Sequence, residues 1–141
     1  MTKNDILGFM KAIEEKDLQK VKEYISKDKS FVNAHNGATP KKNAGQSGLQ
    51  VAIKKNSFEI ALFLIDQGAD VNFSEDKKLN NEYLPVLQFC ISMIFIYCLY
   101  DYYKQCKPYY DQLMNILKIM LLKGANPRAV NCMVIIVCIV Q

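Results

Sequence analysis

The stretch from Leu49 to Asn72 constrains the fold of this chain most strongly. It reads LQVAIKKNSFEIALFLIDQGADVN, with apolar residues at three-to-four-residue spacing in two successive segments. This spacing places Leu49 and Ala52 on one face of a first short helix and Leu64 on one face of a second. Neither helix can bury its apolar stripe alone. The stretch therefore predicts a helix pair that must stack on a neighbour.

Two other segments carry parts of the same pattern. Residues 9–25 read Phe-x-x-Ala-Ile-x-x-x-Asp-Leu-x-x-Val-x-x-Tyr-Ile, and residues 113–127 end in Ile-Leu-Lys-Ile-Met-Leu-Leu-Lys-Gly-Ala-Asn-Pro. Gly124 follows Gly68 by 56 positions in the same Gly-Ala-Asx context, where a left-handed residue closes a helix. Self-similarity of this kind predicts a repeat architecture.

These segments resemble ankyrin repeats, and residues 49–72 match the body of one repeat without a gap. The resemblance implies an all-α fold, an ankyrin-type helical repeat solenoid of stacked antiparallel helix pairs. It implies a single domain, 1–141, with units at about 3–36, 37–72 and 73–127 and a partial unit at 128–141. The chain departs from the family where the first helix begins, because Thr-Pro-Leu-His is replaced by Ser47-Gly48-Leu49-Gln50.

Local signals set the expected helix limits in the first half of the chain. Asn4 or Asp5 is placed to cap the first helix, and Asp17 to cap the second. Asp28 occupies the position of the two cap glycines, which predicts a strained or frayed helix end. The periodicity predicts helices at about residues 4–15, 18–27, 48–56 and 57–67.

The third unit departs from the usual repeat length. Val86–Tyr103 has no charge before Asp101, which predicts a helix about twice as long as the first helix of the family. A break at Gln105–Pro108 and a helix over residues 109–123 follow. The distance between the two Gly-Ala caps exceeds the usual period of about 33 residues by about 23, so this unit contains an insertion.

The apolar segments leave alternatives open. Residues 86–100 are uncharged, and we interpret them as a helix buried between two neighbours. The alternative is a membrane-associated protein that uses residues 85–100 and the apolar C-terminal tail, although a span needs about 20 residues. Met133–Val140 is entirely apolar and rich in β-branched residues, which also suits a strand. We expect this tail either to be buried against Val86–Tyr103 and Leu113–Leu122 or to form a homodimer.

Composition argues against catalysis, metal binding and nucleic-acid binding. The net charge is +4 with interspersed signs, and the five cysteines and His35, the only histidine, lack zinc spacing. No nucleotide-binding glycine loop or catalytic set is visible, so neither an enzyme nor a cofactor is expected. The N-terminus has no secretory apolar region, which predicts a cytoplasmic protein with reduced thiols.

The family resemblance implies a non-catalytic protein–protein interaction module, an adaptor or scaffold for an unidentified protein partner. In the family, partners meet the hairpin tips and the first-helix face. Six tyrosines fall within residues 97–110, and tyrosine suits interfaces as well as cores. The candidate partner-binding residues are Glu14, Glu15, Lys41, Lys42, Lys54, Lys55, Lys77, Lys78, Tyr102 and Tyr103.

Overall fold

The computed structural model describes residues 2–35, 45–74, 86–99 and 103–127, and most of these residues are helical. The helices are α1 (Lys3–Glu14), α2 (Leu18–Lys27), α3 (Gly48–Lys54), α4 (Phe58–Asp66), α5 (Val86–Leu99) and α6 (Tyr103–Leu122). A short 3-10 helix, Lys29–Asn33, follows α2. No β-strand occurs within these ranges, where His35 and Ser47 form an isolated antiparallel bridge. The predicted all-α fold is confirmed.

The helices form three pairs that stack in sequence order. Each first helix packs against its own second helix, as α1 does against α2, because only three residues separate the two in the sequence. The first helices form one row in the order α1, α3, α5, and the second helices form a parallel row in the order α2, α4, α6. A single hydrophobic core runs through all three pairs. The middle helix α3 lies between two neighbours, and its residues 48–53 are all buried.

The helix starts use side-chain caps. Thr2 caps α1, because its hydroxyl accepts a hydrogen bond from the Asp5 backbone N–H at 3.2 Å. The Asp5 carboxylate accepts in return from the Thr2 N–H at 2.8 Å, which lowers the pKa of Asp5. Ser47 and Gln50 form the same reciprocal arrangement at α3. Asp17 caps α2 as expected, whereas the cap of α1 lies earlier than Asn4 or Asp5.

The ends of α4 and α6 close on the two predicted glycines. Gly68 and Gly124 have φ angles of 94° and 95°, in the left-handed region that L side chains adopt only at a cost. At Gly68 the following N–H, that of Ala69, donates to the Leu64 carbonyl at 2.9 Å, and the Gly68 N–H donates to Ile65 at 3.1 Å. Both otherwise unpaired carbonyls are thereby satisfied.

Backbone strain lies at positions that the sequence pattern did not indicate. Lys16 and Asn56, which end α1 and α3, have φ angles of 59° and 57° without being glycine. Asp28 is not strained, because its φ of −153° is extended and its carboxylate caps the next helical turn by accepting from the Ser30 N–H at 2.9 Å. The expectation of strain or fraying at Asp28 is therefore wrong.

Asparagine side chains and one serine join neighbouring pairs. Asn33 Oδ1 accepts from the Asp70 N–H at 2.7 Å, and Asn72 Oδ1 accepts from the Asn126 N–H at the same distance. The Asn72 amide also donates to the Gly124 carbonyl at 3.1 Å. The buried Ser57 hydroxyl donates to the carbonyl at the end of α1 at 2.9 Å. These bonds fix each pair relative to the previous one.

The third pair is longer than the second, but its limits differ from those expected. Helix α5 ends at Leu99, and α6 runs without a break from Tyr103 through Pro108. The predicted break at Gln105–Pro108 is wrong, because α6 is continuous through these residues and its packing against α4 and α5 offsets the cost of the proline. Nor is α5 buried all round, since Phe95 and Ile96 are 43% and 46% exposed.

The first prediction concerns Ala52, which is fully buried in α3. Ala52→Phe should lower the free energy of unfolding by about 1–3 kcal/mol, because the middle helix has no room for a larger side chain. Urea denaturation followed by circular dichroism measures this change. Glu59→Phe, at an exposed site on α4, should change the free energy by less than about 0.5 kcal/mol. Equal stability of the Ala52 variant and the parent would contradict the close packing of α3.

A second prediction uses the left-handed residues. Gly68→Ala should lower the free energy of unfolding by about 1–2 kcal/mol, because the new Cβ meets the following carbonyl at φ 94°. Lys16→Gly should raise it by up to about 1 kcal/mol, because glycine removes the same strain at φ 59°. Thermal or urea unfolding compares the two variants. A shift in the same direction for both would refute this assignment of strain.

Candidate protein-binding surface

The third pair projects beyond the second at the end where α3 turns into α4. Because Leu87–Cys90 matches Leu49–Ala52, the first half of the 14-residue α5 corresponds to the seven-residue α3. The second half of α5 therefore extends about 10 Å further, at about 1.5 Å per residue. Gly124 matches Gly68, so α6, with 20 residues against nine in α4, extends past the same end. The projecting parts of α5 and α6 therefore form a concave step with the ends of the shorter pairs, and we call this step the corner.

An aromatic cluster holds this corner together. The Asn56 amide donates to the Tyr97 hydroxyl at 3.0 Å, and that hydroxyl lies 3.1 Å from Asn56 Oδ1, to which it donates. The Tyr109 ring stacks on Tyr97, with centroids 5.8 Å apart and an interplanar angle of 21°, and lies 6.0 Å from the Phe58 ring. The cluster fixes the projecting half of α5 and α6 to the α3–α4 turn.

A groove of about 240 Å³ lies in the corner, and we call it the turn-end groove. It is lined by Lys16, Asn56, Ser57, Phe58, Glu59, Ile60, Tyr109 and Gln112. Tyr109 is 40% exposed, although its ring is supported from two sides. The lining thus combines an aromatic surface with one basic and one acidic side chain. Such a lining suits side chains of a protein partner.

Four of the sequence-predicted residues lie at the same end of the molecule as this groove. Glu14 is the last residue of α1 and Glu15 its cap, while Lys54 and Lys55 hold the equivalent positions on α3. Because α1 and α3 are neighbours, these four residues lie at the ends of adjacent helices, and we call them the charged strip. Glu15 lies 3.8 Å from Lys11 in an exposed ion pair, which contributes little to stability.

The other predicted residues cannot be placed on this surface. Lys41, Lys42, Lys77, Lys78 and Tyr102 lie outside the described residues, and Tyr103 begins α6 with its side chain also outside them. The first-helix face of the middle unit offers few contacts, because residues 48–53 of α3 are buried. On α3 and its C-terminal cap, only Lys54 and Lys55 are partly accessible.

None of the eight residues that line the groove was among the candidate binding residues, and Lys16, Asn56 and Tyr109 show why. Lys16 and Asn56 lie at equivalent positions after the ends of α1 and α3, 40 residues apart. Alignment of the first two repeat units could have predicted that both lie at the same end of the molecule. Tyr109 was missed because the expected break at Gln105–Pro108 put it at a helix start. In the continuous α6 it lies within the projecting half and faces the second pair.

The described residues offer neither a metal site nor an activated thiol. In this part of the chain no group of three His, Cys, Asp or Glu side chains could hold a metal ion. Cys90 is buried, which raises the pKa of its thiol to about 12 and keeps it protonated at neutral pH. Its thiol donates to the Leu113 carbonyl at 3.7 Å, so it serves as a packing residue between α5 and α6. His35 is exposed and lies beside Phe73.

Membrane crossing finds no support among the described helices. None of them is both long enough and apolar enough to span a bilayer. Helix α5 is apolar but has 14 residues, and α6 is longer but carries charges.

Comparison with known protein families identifies the second pair. The ankyrin repeat family model matches residues 44–76, which contain α3 and α4. These residues are therefore an ankyrin repeat, and the recognition of that family from Leu49–Asn72 is confirmed. No curated protein and no solved structure matches the chain.

The corner generates a third prediction. Tyr97→Phe should lower the free energy of unfolding by about 1 kcal/mol, because the Asn56 amide then loses its partner. In an Asn56→Gly background the same change should have almost no effect, since glycine keeps the left-handed turn but has no amide. The two sites should thus be coupled by about 0.5–1.5 kcal/mol in a urea-denaturation double-mutant cycle.

Asn115→Ala, at an exposed position of α6, serves as the control and should be additive with Tyr97→Phe. Additivity between Asn56 and Tyr97 would show that the hydrogen bond does not anchor the projecting helices.

Proposed function

We propose that this chain is a non-catalytic protein–protein interaction module, an ankyrin-repeat adaptor or scaffold. The ankyrin repeat at residues 44–76 supports protein binding as the general function. The single observation that carries the finer proposal is the turn-end groove, with Tyr109 exposed in it and the charged strip at the same end of the molecule. We propose that the partner docks at this end.

The groove is prepared for binding because its aromatic residue is already ordered. Tyr109 is stacked on Tyr97 and lies against Phe58, so little side-chain freedom remains to be lost when a partner covers it. Tyrosine combines apolar area with a polar hydroxyl, and such residues often dominate the energy of a protein interface. Tyr109 is therefore the proposed anchor.

The charged strip supplies orientation rather than most of the affinity. Glu14 and Glu15 present negative charge on α1, and Lys54 and Lys55 present positive charge on the neighbouring α3. A partner with basic residues opposite α1 and acidic residues opposite α3 would bind in one orientation, because the opposite orientation brings like charges together. Lys41, Lys42, Lys77, Lys78, Tyr102 and Tyr103 remain candidate contacts.

The alternative functions have less support. Membrane association through residues 85–100 would rest on α5, which at 14 residues is shorter than the span of about 20 that a bilayer requires. The modest net charge of +4 does not favour nucleic acid as a partner. A homodimer through the apolar C-terminus is the alternative to packing of that segment within its own chain. The proposed location is the cytoplasm, in keeping with Cys90 as a free thiol.

A quantitative pull-down tests the docking surface. The tagged chain would be compared with Tyr109→Ser and with Lys54→Glu/Lys55→Glu, and captured proteins would be quantified by mass spectrometry. Both variants should lose at least about 80% of the same captured protein, since loss of about 1.4 kcal/mol lowers affinity tenfold. Circular dichroism would show that both variants remain folded.

The matched control is Lys118→Glu/Lys123→Glu, which makes the same change in charge at exposed positions near the other end of α6. It should keep the captured protein. If the control reduces binding as much as Lys54→Glu/Lys55→Glu, net charge rather than the charged strip governs capture. If Tyr109→Ser has no effect on any captured protein, the turn-end groove is not the docking site.

A further inference from the structure

Helix α5 carries an exposed apolar face at the end of the first-helix row. Phe95 and Ile96 are 43% and 46% exposed, and α5 contains no charged residue. The polar groups nearby are bonded within the helix itself, because the Ser92 hydroxyl donates to the Gln88 carbonyl at 2.9 Å and the Gln88 amide donates to Ser92 at 3.4 Å. This face, which we call the α5 outer face, therefore offers mainly apolar contacts.

The other helices of the row show what kind of position α5 occupies. Helix α1, at the opposite end, exposes Lys3, Asn4 and Lys11, as expected of a terminal helix in a stack. Helix α3, with a neighbour on each side, is buried throughout residues 48–53. Helix α5 resembles α3 in its apolar composition, but among the described residues its neighbour in the first-helix row is α3, on one side. An apolar composition of this kind is expected of a helix that has a neighbour on its other side as well.

The backbone after α6 repeats the course of the backbone after α4. Gly124 has the φ angle of Gly68, and the Ala125 N–H donates to Met120 at 2.9 Å as Ala69 does to Leu64. The Asn126 N–H donates to Asn72 just as the Asp70 N–H, one unit earlier, donates to Asn33. After α4 the chain proceeds to the helix that covers α3. After α6 it is directed in the same way towards the α5 outer face.

We propose that residues 133–140 of this same chain pack on the α5 outer face and cover Phe95 and Ile96. The segment from Met133 to Val140 is wholly apolar, so no charge has to be buried. It follows α6 closely, and the six residues from Pro127 to Met133 can span up to about 20 Å, twice the usual distance of about 10 Å between packed helices. The inference does not depend on the proposed partner-binding function.

Hydrogen–deuterium exchange of the full-length chain tests this placement. Amides of residues 133–140 should exchange at least about tenfold more slowly than in an isolated peptide of the same sequence. Phe95→Lys/Ile96→Lys should abolish that protection while leaving peptides from α1–α4 unchanged, because both substituted side chains lie at the surface. Leu7→Lys, at a half-buried site on α1 at the far end of the row, should leave the protection intact.

The protection should be the same over a roughly fiftyfold range of protein concentration, with a monomer in sedimentation velocity, because an intramolecular contact does not depend on concentration. Exchange of residues 133–140 at the peptide rate would overturn the proposal. Protection that appears only with dimer formation would assign the α5 outer face to a second copy and equally overturn it. Protection that requires phosphatidylcholine vesicles would replace it with membrane attachment.

Discussion

The structure depends on the burial of α3 between α1 and α5. A seven-residue helix is too short to be stable alone, and its apolar stripe gains most of its stability from its two neighbours. Gly48 reflects how close this packing is, because a Cβ there would lie 3.1 Å from both the Ile13 and the Phe9 side chains. The asparagine and serine bonds between pairs hold the second pair, to which α3 belongs, against the first and the third.

Much of this arrangement could be predicted from the sequence because its causes are local. The three-to-four-residue spacing in Leu49–Asn72 defined α3 and α4 to within two residues at each end, and Asp17 marked the start of α2. Gly68 and Gly124 marked two helix ends, since only glycine adopts the left-handed conformation there without cost.

The remaining features depend on tertiary contacts that a local pattern does not contain. Lys16 and Asn56 adopt the left-handed conformation although nothing in their identity requires it, and at Asn56 the bonds to Tyr97 help to hold it. Pro108 suggested a break, yet α6 continues through it because the helix packs against α4 and α5. The turn-end groove was missed for the same reason, as its walls come from three different pairs. Of the candidate binding residues, Glu14, Glu15, Lys54 and Lys55 were brought together because they close two adjacent, equivalent helices.

The asparagine bonds have a consequence for how the protein unfolds. In a linear array of repeats, the balance between the stability of each unit and the coupling across each interface decides whether units melt one by one or together. Here the bond from Asp70 to Asn33, the two bonds made by Asn72 and the Ser57 hydroxyl bond all cross an interface. All four would be lost if the second pair opened alone, and two of them if the first or the third pair did. With short helices and strong coupling, the chain should behave as one cooperative unit, in which local opening of any pair approaches the cost of global unfolding.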